Sequence, residues 1–289
     1  MRTLKDLTIQ EKEEIVSLYI NTEHTFSSLA KLFNINNYQI IGRFIKNKGL
    51  KSKPNTITNR KYTINQSFFD NIDTEEKAYF LGFLYADGTH SPKRNAITLC
   101  LSEIDKEILE KLSYIIGSNK PLRYVIRDQV DYIKNKLIKR KNQYCMSIHN
   151  EHISKRLLEL GCHSNKTHTL LFPEWLRPDL YHHFIRGYFD GDGSISFTGN
   201  SYIIPQLNIV STNEFLTSVE NIFFEKASIN KRKNFDTSAN YDNVAYLHYG
   251  GRKVILRIKD FLYKDATIFL KRKKDKFDLI PYSSSDTTS

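Results

Sequence analysis

Residues 79–88 read YFLGFLYADG and residues 184–193 read FIRGYFDGDG. Each is a mostly apolar run with a glycine in its middle that leads straight into an aspartate followed by glycine. A helix that ends on an acid works against its own dipole, whose C-terminal end is already negative. A glycine inside a helix costs about 1 kcal/mol against alanine, unless it lets two backbones come close. Gly82 and Gly187 both stand five residues before the aspartate, so the pattern describes two helices packed on each other through their glycines. Such packing brings Asp87 and Asp192 together at the helix ends, with Gly88 and Gly193 expected as left-handed caps. Two adjacent carboxylates repel each other, and divalent cations between them relieve the repulsion. Hard oxygen ligands of this kind suit Mg²⁺ held jointly with phosphate.

Working outward, the same order of elements surrounds each motif. After the first come an expected strand over 95–101, a helix capped by Ser102 and Asp105 and running to Ile116, strands over 121–128 and 142–149, and a helix from Glu151 that stops before Gly161. After the second come strands over 194–198 and 203–210, a helix capped by Ser211 and Glu214 and reaching Phe224, strands over 227–235 and 243–249, and a helix over 252–263. Asp87 and Asp192 are 105 residues apart (192 − 87), a period too long for a solenoid and suited to a duplicated half-domain. Two halves related by a pseudo-dyad are therefore expected, over residues 70–172 and 173–282, followed by a disordered tail, 283–289.

The two motifs, in register with the duplicated order, resemble the LAGLIDADG homing endonucleases in their single-chain, two-motif form, over residues 75–280. The resemblance implies an α+β fold, a pseudo-symmetric duplicated αββαββα arrangement, with Asp87 and Asp192 as ligands of Mg²⁺ or Mn²⁺. Whether the backbone carbonyl at position 86, which is Ala86, joins them is left open. The earlier acid position of the motif, Tyr85 in one copy and Asp190 in the other, is not metal-binding in the family. One lysine beside each metal site would stabilise charge on the phosphate or polarise the attacking water. Lys166 lies 79 residues after Asp87; the same offset from Asp192 gives Lys271, and a two-residue shift gives Lys273.

The resemblance further implies that each half presents a curved antiparallel sheet to the major groove of double-stranded DNA. Charge agrees: Lys120, Arg123, Arg127, Lys134, Lys136, Lys139, Arg140 and Lys141 fall in the first strand region, and Lys226, Lys231, Arg232 and Lys233 in the second. Gln129, Asn135 and Gln143 are candidates for reading base edges. The activity implied is Mg²⁺-dependent double-strand cleavage of a long asymmetric target by a monomer, with short 3′ overhangs.

Residues 1–50 form a separate pattern of three short helices, over 8–21, 25–33 and 36–47. Ile9, Ile15, Leu18 and Tyr19 mark the buried side of the first, Phe26, Leu29, Ala30, Leu32 and Phe33 that of the second, and Ile40, Ile41, Phe44 and Ile45 that of the third. The turn before the third holds Asn34, which reaches positive φ more readily than most residues, so the region reads as a small all-α helix-turn-helix domain. From His24 through Phe69 there is no Asp or Glu, while Arg43, Lys46, Lys48, Lys51, Lys53, Arg60 and Lys61 fall inside the stretch. Residues 51–69 are expected to be a basic arm that tracks phosphates.

The whole chain of 289 residues carries a formal charge of +11, which favours a polyanionic partner. Its three cysteines are odd in number and unpaired in spacing, so neither a disulfide framework nor a zinc site is expected, and a cytoplasmic, reducing location fits. No run is long and apolar enough to span a membrane, and no nucleotide-binding glycine loop is present. The histidines follow no ligand spacing, and Trp175 is expected to pack between the halves. No Cys or Ser opens the chain and no Asn precedes one at its close, so an intein is not expected. Two alternatives compete with the nuclease: a non-cleaving transcriptional regulator on the same fold, and an RNA-binding intron maturase.

Overall fold

In the computed structural model, the described residues are 2–22, 24–51, 61–127, 130–133, 136–164, 166–199, 204–231, 236–237 and 243–282. The chain divides into two compact units, Met1–Thr63 and Ile64–Ser289.

The first unit holds α1 (Ile9–Asn21), α2 (Phe26–Leu32) and α3 (Tyr38–Asn47). Each starts on a residue suited to the task. Thr8 accepts from Glu11 N at 3.1 Å while Glu11 returns the bond to Thr8 N at 2.8 Å, a capping box that satisfies two helix-end donors. Thr25 and Asn37 cap α2 and α3 in the same sense. Asn34 takes φ 53°, the left-handed turn expected between α2 and α3. Ile15, Tyr19, Leu29, Ala30, Phe33, Ile41 and Ile45 form this unit's core. Ile9 and Leu32, expected inside, are 76% and 58% exposed, because each sits just past the edge of its helix's inward stripe.

In the second unit, α4 (Glu75–Asp87) leads into β1 (Thr89–Ser91) and β2 (Ala96–Ser102), then α5 (Lys106–Ile115), β3 (Arg123–Val125), β4 (Val130–Ile133), β5 (Lys136–Lys139), β6 (Gln143–His149) and α6 (Glu151–Glu159). The order then repeats: α7 (Tyr181–Asp192), β7 (Gly193–Thr198), β8 (Ile204–Ser211), α8 (Asn213–Ala227), β9 (Asp236–Thr237), β10 (Ala245–Gly250) and α9 (Arg252–Leu262), with α10 (Lys271–Asp278) closing the chain. The two antiparallel sheets have the matching strand orders β1-β2-β6-β3 and β7-β8-β10-β9. This is the duplicated αββαββα arrangement that the resemblance implies. The first half adds a β4–β5 hairpin as a separate two-stranded sheet.

The two motif helices are the axis of this unit. A Cβ on Gly82 would lie 2.0 Å from the Phe184 carbonyl oxygen, and one on Gly187 would lie 2.0 Å from that of Tyr79. Phe184 and Tyr79 are themselves 105 residues apart, so the two contacts are pseudo-symmetric equivalents. Only glycine fits, since the obstacle is rigid backbone. Gly82→Ala is expected to cost the upper end of the about 1–3 kcal/mol of overpacking, read as a lower urea midpoint. A midpoint unchanged from wild type would show that the helices part without cost.

Several expectations are corrected. Gly88 and Gly193 are not left-handed caps: their φ values are −69° and −86°, with extended ψ, because each chain passes from helix directly into a strand. They are glycines for another reason, as a Cβ would meet Leu84 O at 2.5 Å and the Phe189 ring at 2.1 Å. The helix expected to end at Phe224 continues to Ala227, the first residue of an expected strand. Thr212, not Ser211, caps that helix by accepting from Phe215 N. Ser102 precedes a short 3₁₀ turn, with no side-chain cap bond there.

Residues 64–69 belong to the second unit instead of the arm, because Phe68 and Phe69 pack against Phe80 in its core. Trp175 is half exposed. Cys100 and Cys145 form a disulfide, against the expectation of free thiols. They are register partners on β2 and β6, a juxtaposition that a sequence separation of 45 does not reveal. Residues 52–60 of the arm and the tail 283–289 lie outside the described residues.

Candidate active site and nucleic-acid interface

Asp87 and Asp192 are the last residues of α4 and α7. A Cβ on Gly191 would fall 2.3 Å from Ala86 Cβ and 3.2 Å from Asp87 Oδ2, so the acid-bearing helix ends touch. Both carboxylates reach solvent. Packed protein on their helix side still withholds water. This burial, followed by repulsion from Asp192, raises Asp87 to about 6 against the pull of Lys273, Lys166 and Arg272. Asp192 is raised as well, chiefly by burial, with Lys166, Lys273 and the Tyr188 hydroxyl opposing.

The lysines complete the symmetry. Lys166 Nζ donates to the carbonyl of Gly88, the residue after Asp87. Lys273 Nζ donates to the carbonyl of Gly193, the residue after Asp192, at 2.6 Å, and also to those of Phe189 at 2.6 Å and Asp190 at 2.7 Å. Lys273 is 4% exposed, and burial lowers its ammonium to about 8, with Asp190, Asp87 and Asp192 holding it up. Lys271, the position given by strict offset, is instead 71% exposed and paired with Asp275 on the surface of α10. Two residues separate the halves' spacings because Lys273 sits in the first turn of a helix and Lys166 in a 3₁₀ turn.

Beneath the acids runs a buried polar layer. Arg186, fully buried, donates to Glu75, to the carbonyls of Ile268 and Leu262, and to Nδ1 of His183, whose ring burial holds neutral. Glu75 also accepts from Thr267 N at 2.8 Å and Ile268 N at 3.1 Å. Asp190 Oδ2 accepts from Tyr79 OH and Leu270 N, each at 2.7 Å.

The sheets' outer faces carry the groove-facing candidates. On the first, Arg127 donates to Gln143 through Nε at 3.2 Å and Nη2 at 3.0 Å, Lys120 Nζ lies 3.3 Å from His149 Nδ1, and Arg123 is exposed beside Cys145. Arg140 and Lys141 are exposed near the β5–β6 turn. The second face is described in part, since Arg232 and Lys233 lie outside the described residues. Its exposed side carries Gln206 and Asn208 of β8 and Tyr246 and His248 of β10, with His248 Nδ1 2.6 Å from Asn208 Oδ1. Lys226 belongs to α8, and Lys231 lies over the Phe224 ring of that helix, 5.1 Å from its centroid. In the first unit, Arg43 and Lys46 of α3 are exposed, as are Lys48, Lys51 and Lys61. Lys53, Arg60, Gln129, Lys134, Asn135, Arg232 and Lys233 lie outside the described residues, as do the side chains of Lys136 and Lys139.

Sequence reasoning misses three contributors. Arg272, next to the lysines, holds Asp105 of the other half through Nε and adds positive field at Asp87. Tyr188 stands one turn before Asp192, and Asn208 and His248 meet across the neighbouring strands β8 and β10, a register that the sequence does not show. Among the described residues no group of three or more His, Cys, Asp or Glu gathers as a metal cage. No helix among them is long and apolar enough to cross a membrane.

No family model matches this chain. It is similar to the intron-encoded RNA maturase bI4 of Saccharomyces cerevisiae, at 27% identity over 239 residues, covering 76% of this chain and 34% of the relative. The chain thus spans about a third of the length of that curated relative. Solved structures align with it at low identity. The I-LtrWI LAGLIDADG homing endonuclease bound to target DNA shares 13% identity, with 74% of this chain and 91% of that one covered and a TM-score of 0.46. The I-SmaMI LAGLIDADG homing endonuclease bound to cleaved DNA shares 12%, covering 70% and 86%, with a TM-score of 0.45.

Proposed function

We propose that this protein is a LAGLIDADG-type site-specific DNA endonuclease that makes Mg²⁺-dependent double-strand breaks in a long asymmetric target, leaving short 3′ overhangs. The observation that carries the reading is the doubled site: two acids at the ends of two glycine-packed helices, each followed by a glycine whose carbonyl is held by a lysine.

The donor set fits a divalent cation. Burial, and after it repulsion from Asp192, raises Asp87 to about 6 even with Lys273, Lys166 and Arg272 nearby, so a cation between the acids would relieve the pair, and hard oxygens suit Mg²⁺ or Mn²⁺. Asp87 and Asp192 would hold the metal. When bound, it would neutralise phosphate charge and make water a stronger acid. Lys166 and Lys273 hold positive charge beside each acid, where a phosphate's developing charge is stabilised. Arg123, Arg127 and Lys120 would fix the first half on the duplex, and Gln143, Asn208 and His248 would read base edges. The exposed cations of α3 would extend the footprint, adding affinity by linkage. The two unlike sheet faces favour a monomer on a nonpalindromic site.

The maturase likeness motivates a second role, binding of intron RNA, alongside cleavage. Retention of both acids speaks against a purely regulatory protein. The test is incubation of the protein with plasmids spanning its native genomic neighbourhood, with Mg²⁺ or EDTA, followed by mapping of breaks. Discrete Mg²⁺-dependent cuts are expected. Reproducible binding without breaks would favour the regulator, and preference for intron RNA over duplex DNA would favour the maturase.

A further inference from the structure

Tyr85 and Asp190 occupy the same place in the two motif helices, two residues before each acid and 105 residues apart. They are chemically unlike, and the metal assignment uses neither. Each nevertheless grips the segment that delivers its half's lysine. Tyr85 OH donates to the carbonyl of Leu160, at the end of α6 on the way to Lys166. That docking is tight: a Cβ on the next residue, Gly161, would fall 2.4 Å from the Tyr85 oxygen. His90 Nδ1 lies 2.8 Å from the carbonyl of Cys162, adding a second hold on the same segment.

In the second half the polarity is reversed. Asp190 is an acceptor, and Leu270 N donates to its Oδ2. Leu270 is the residue from which α10 starts, and Lys273 N donates back to Leu270 O at 3.0 Å, so Lys273 stands within one turn of the anchor. Asp190 is 1% exposed, with its other oxygen, Oδ1, buried and without a hydrogen-bond partner. A buried carboxylate is costly to keep unless it does something.

We infer that Tyr85 and Asp190 are the positioning residues for Lys166 and Lys273, a hydroxyl-to-carbonyl anchor in one half and an amide-to-carboxylate anchor in the other. Because Lys273 is one helical turn from its anchor and Lys166 is six residues from its own, loss of Asp190 disturbs its lysine more than loss of the Tyr85 hydroxyl does. The consequence for strand cutting rests on the endonuclease reading above. The anchoring itself does not.

Two readouts separate them. In the first, amine acylation of the full-length, metal-free protein is mapped by mass spectrometry. Lys273 is expected to be protected in the wild type and to label at least about 10-fold faster in Asp190→Ala, with Lys166 unchanged; Asp190→Asn, which keeps an oxygen acceptor, is expected to restore protection. Lys273 staying protected in Asp190→Ala, or Lys166 and Lys273 loosening together, would overturn the inference. In the second readout, each strand of an end-labelled cleavable duplex is followed separately. Asp190→Ala is expected to slow one strand by about 10–100-fold and to accumulate nicked product, while Tyr85→Phe slows the other strand by a smaller factor. Equal slowing of both strands in Asp190→Ala would also overturn it. Should the wild type cut no DNA while the labelling pattern holds, the anchoring stands and the endonuclease reading falls.

Discussion

Asp87→Asn is expected to slow DNA cleavage by at least about 10³-fold while leaving DNA binding largely intact. The carboxamide keeps the side chain's shape at the helix end but removes the charge that would hold a cation, whereas phosphate contacts come from cations elsewhere. Asp192→Asn should act alike. The same substitution has a second, opposite effect on stability. Burial and the neighbouring Asp192 raise Asp87 to about 6, so the folded protein binds this proton more tightly than the unfolded chain does. Stability of the metal-free protein therefore falls as pH rises from about 4 to about 6, and the penalty is complete above that.

Asp190, raised to about 6 chiefly by burial, contributes in the same sense, so in the Asp87→Asn variant the slope shrinks without vanishing. At pH 7 in EDTA, Asp87→Asn is expected to gain about 1 kcal/mol, a figure held down by solvent screening at an exposed carboxylate. Mg²⁺ should stabilise the wild type and not the variant. Urea unfolding at pH 5 and pH 7, with EDTA or Mg²⁺, reads all of this. A variant that cuts at the wild-type rate, or one that Mg²⁺ stabilises as strongly, would remove Asp87 from the metal site.

Arg186→Ala is expected to cost about 3–5 kcal/mol, the scale for breaking a buried ion pair and leaving its partner behind. Arg186 has no exposed surface, and its guanidinium ties α7 to Glu75 of α4 and to the carbonyls of Leu262 and Ile268. Its loss strands Glu75, a carboxylate that also holds the backbone of Thr267 and Ile268 on the path to Lys273. The double substitution Arg186→Met with Glu75→Gln should recover part of that loss, since both charges then leave together. Urea midpoints check both. A single-variant loss below about 1 kcal/mol would show that the layer is not a clamp between the halves.

The motif helices are legible in the sequence because their signal is steric and repeated: two glycines at equal distance from two acids have no cheaper explanation than backbone contact. The duplication follows from that register. Local caps are less legible, because Ser211 and Thr212 are adjacent residues with the same chemistry and only the helix's starting angle chooses between them. The choice between Lys271 and Lys273 turns on a two-residue difference between loop and helix that no offset encodes. Arg186 lies hidden inside a motif read for its apolar residues, and its partner Glu75 is 111 residues away. The disulfide escapes for the same reason, since register between β2 and β6 is a tertiary fact. Gln206 and Asn208 of the second sheet escape a reading guided by charge.

The most direct measurement is anomalous diffraction from crystals of the protein with Mn²⁺, alone and with a duplex carrying its mapped cleavage site. Mn²⁺ peaks between the carboxylates of Asp87 and Asp192, present in the wild type and lost in the variant with both acids changed to asparagine, are the expected result. Peaks elsewhere, or none at the helix ends while the DNA is bound, would contradict the assignment of these two acids as the cutting site.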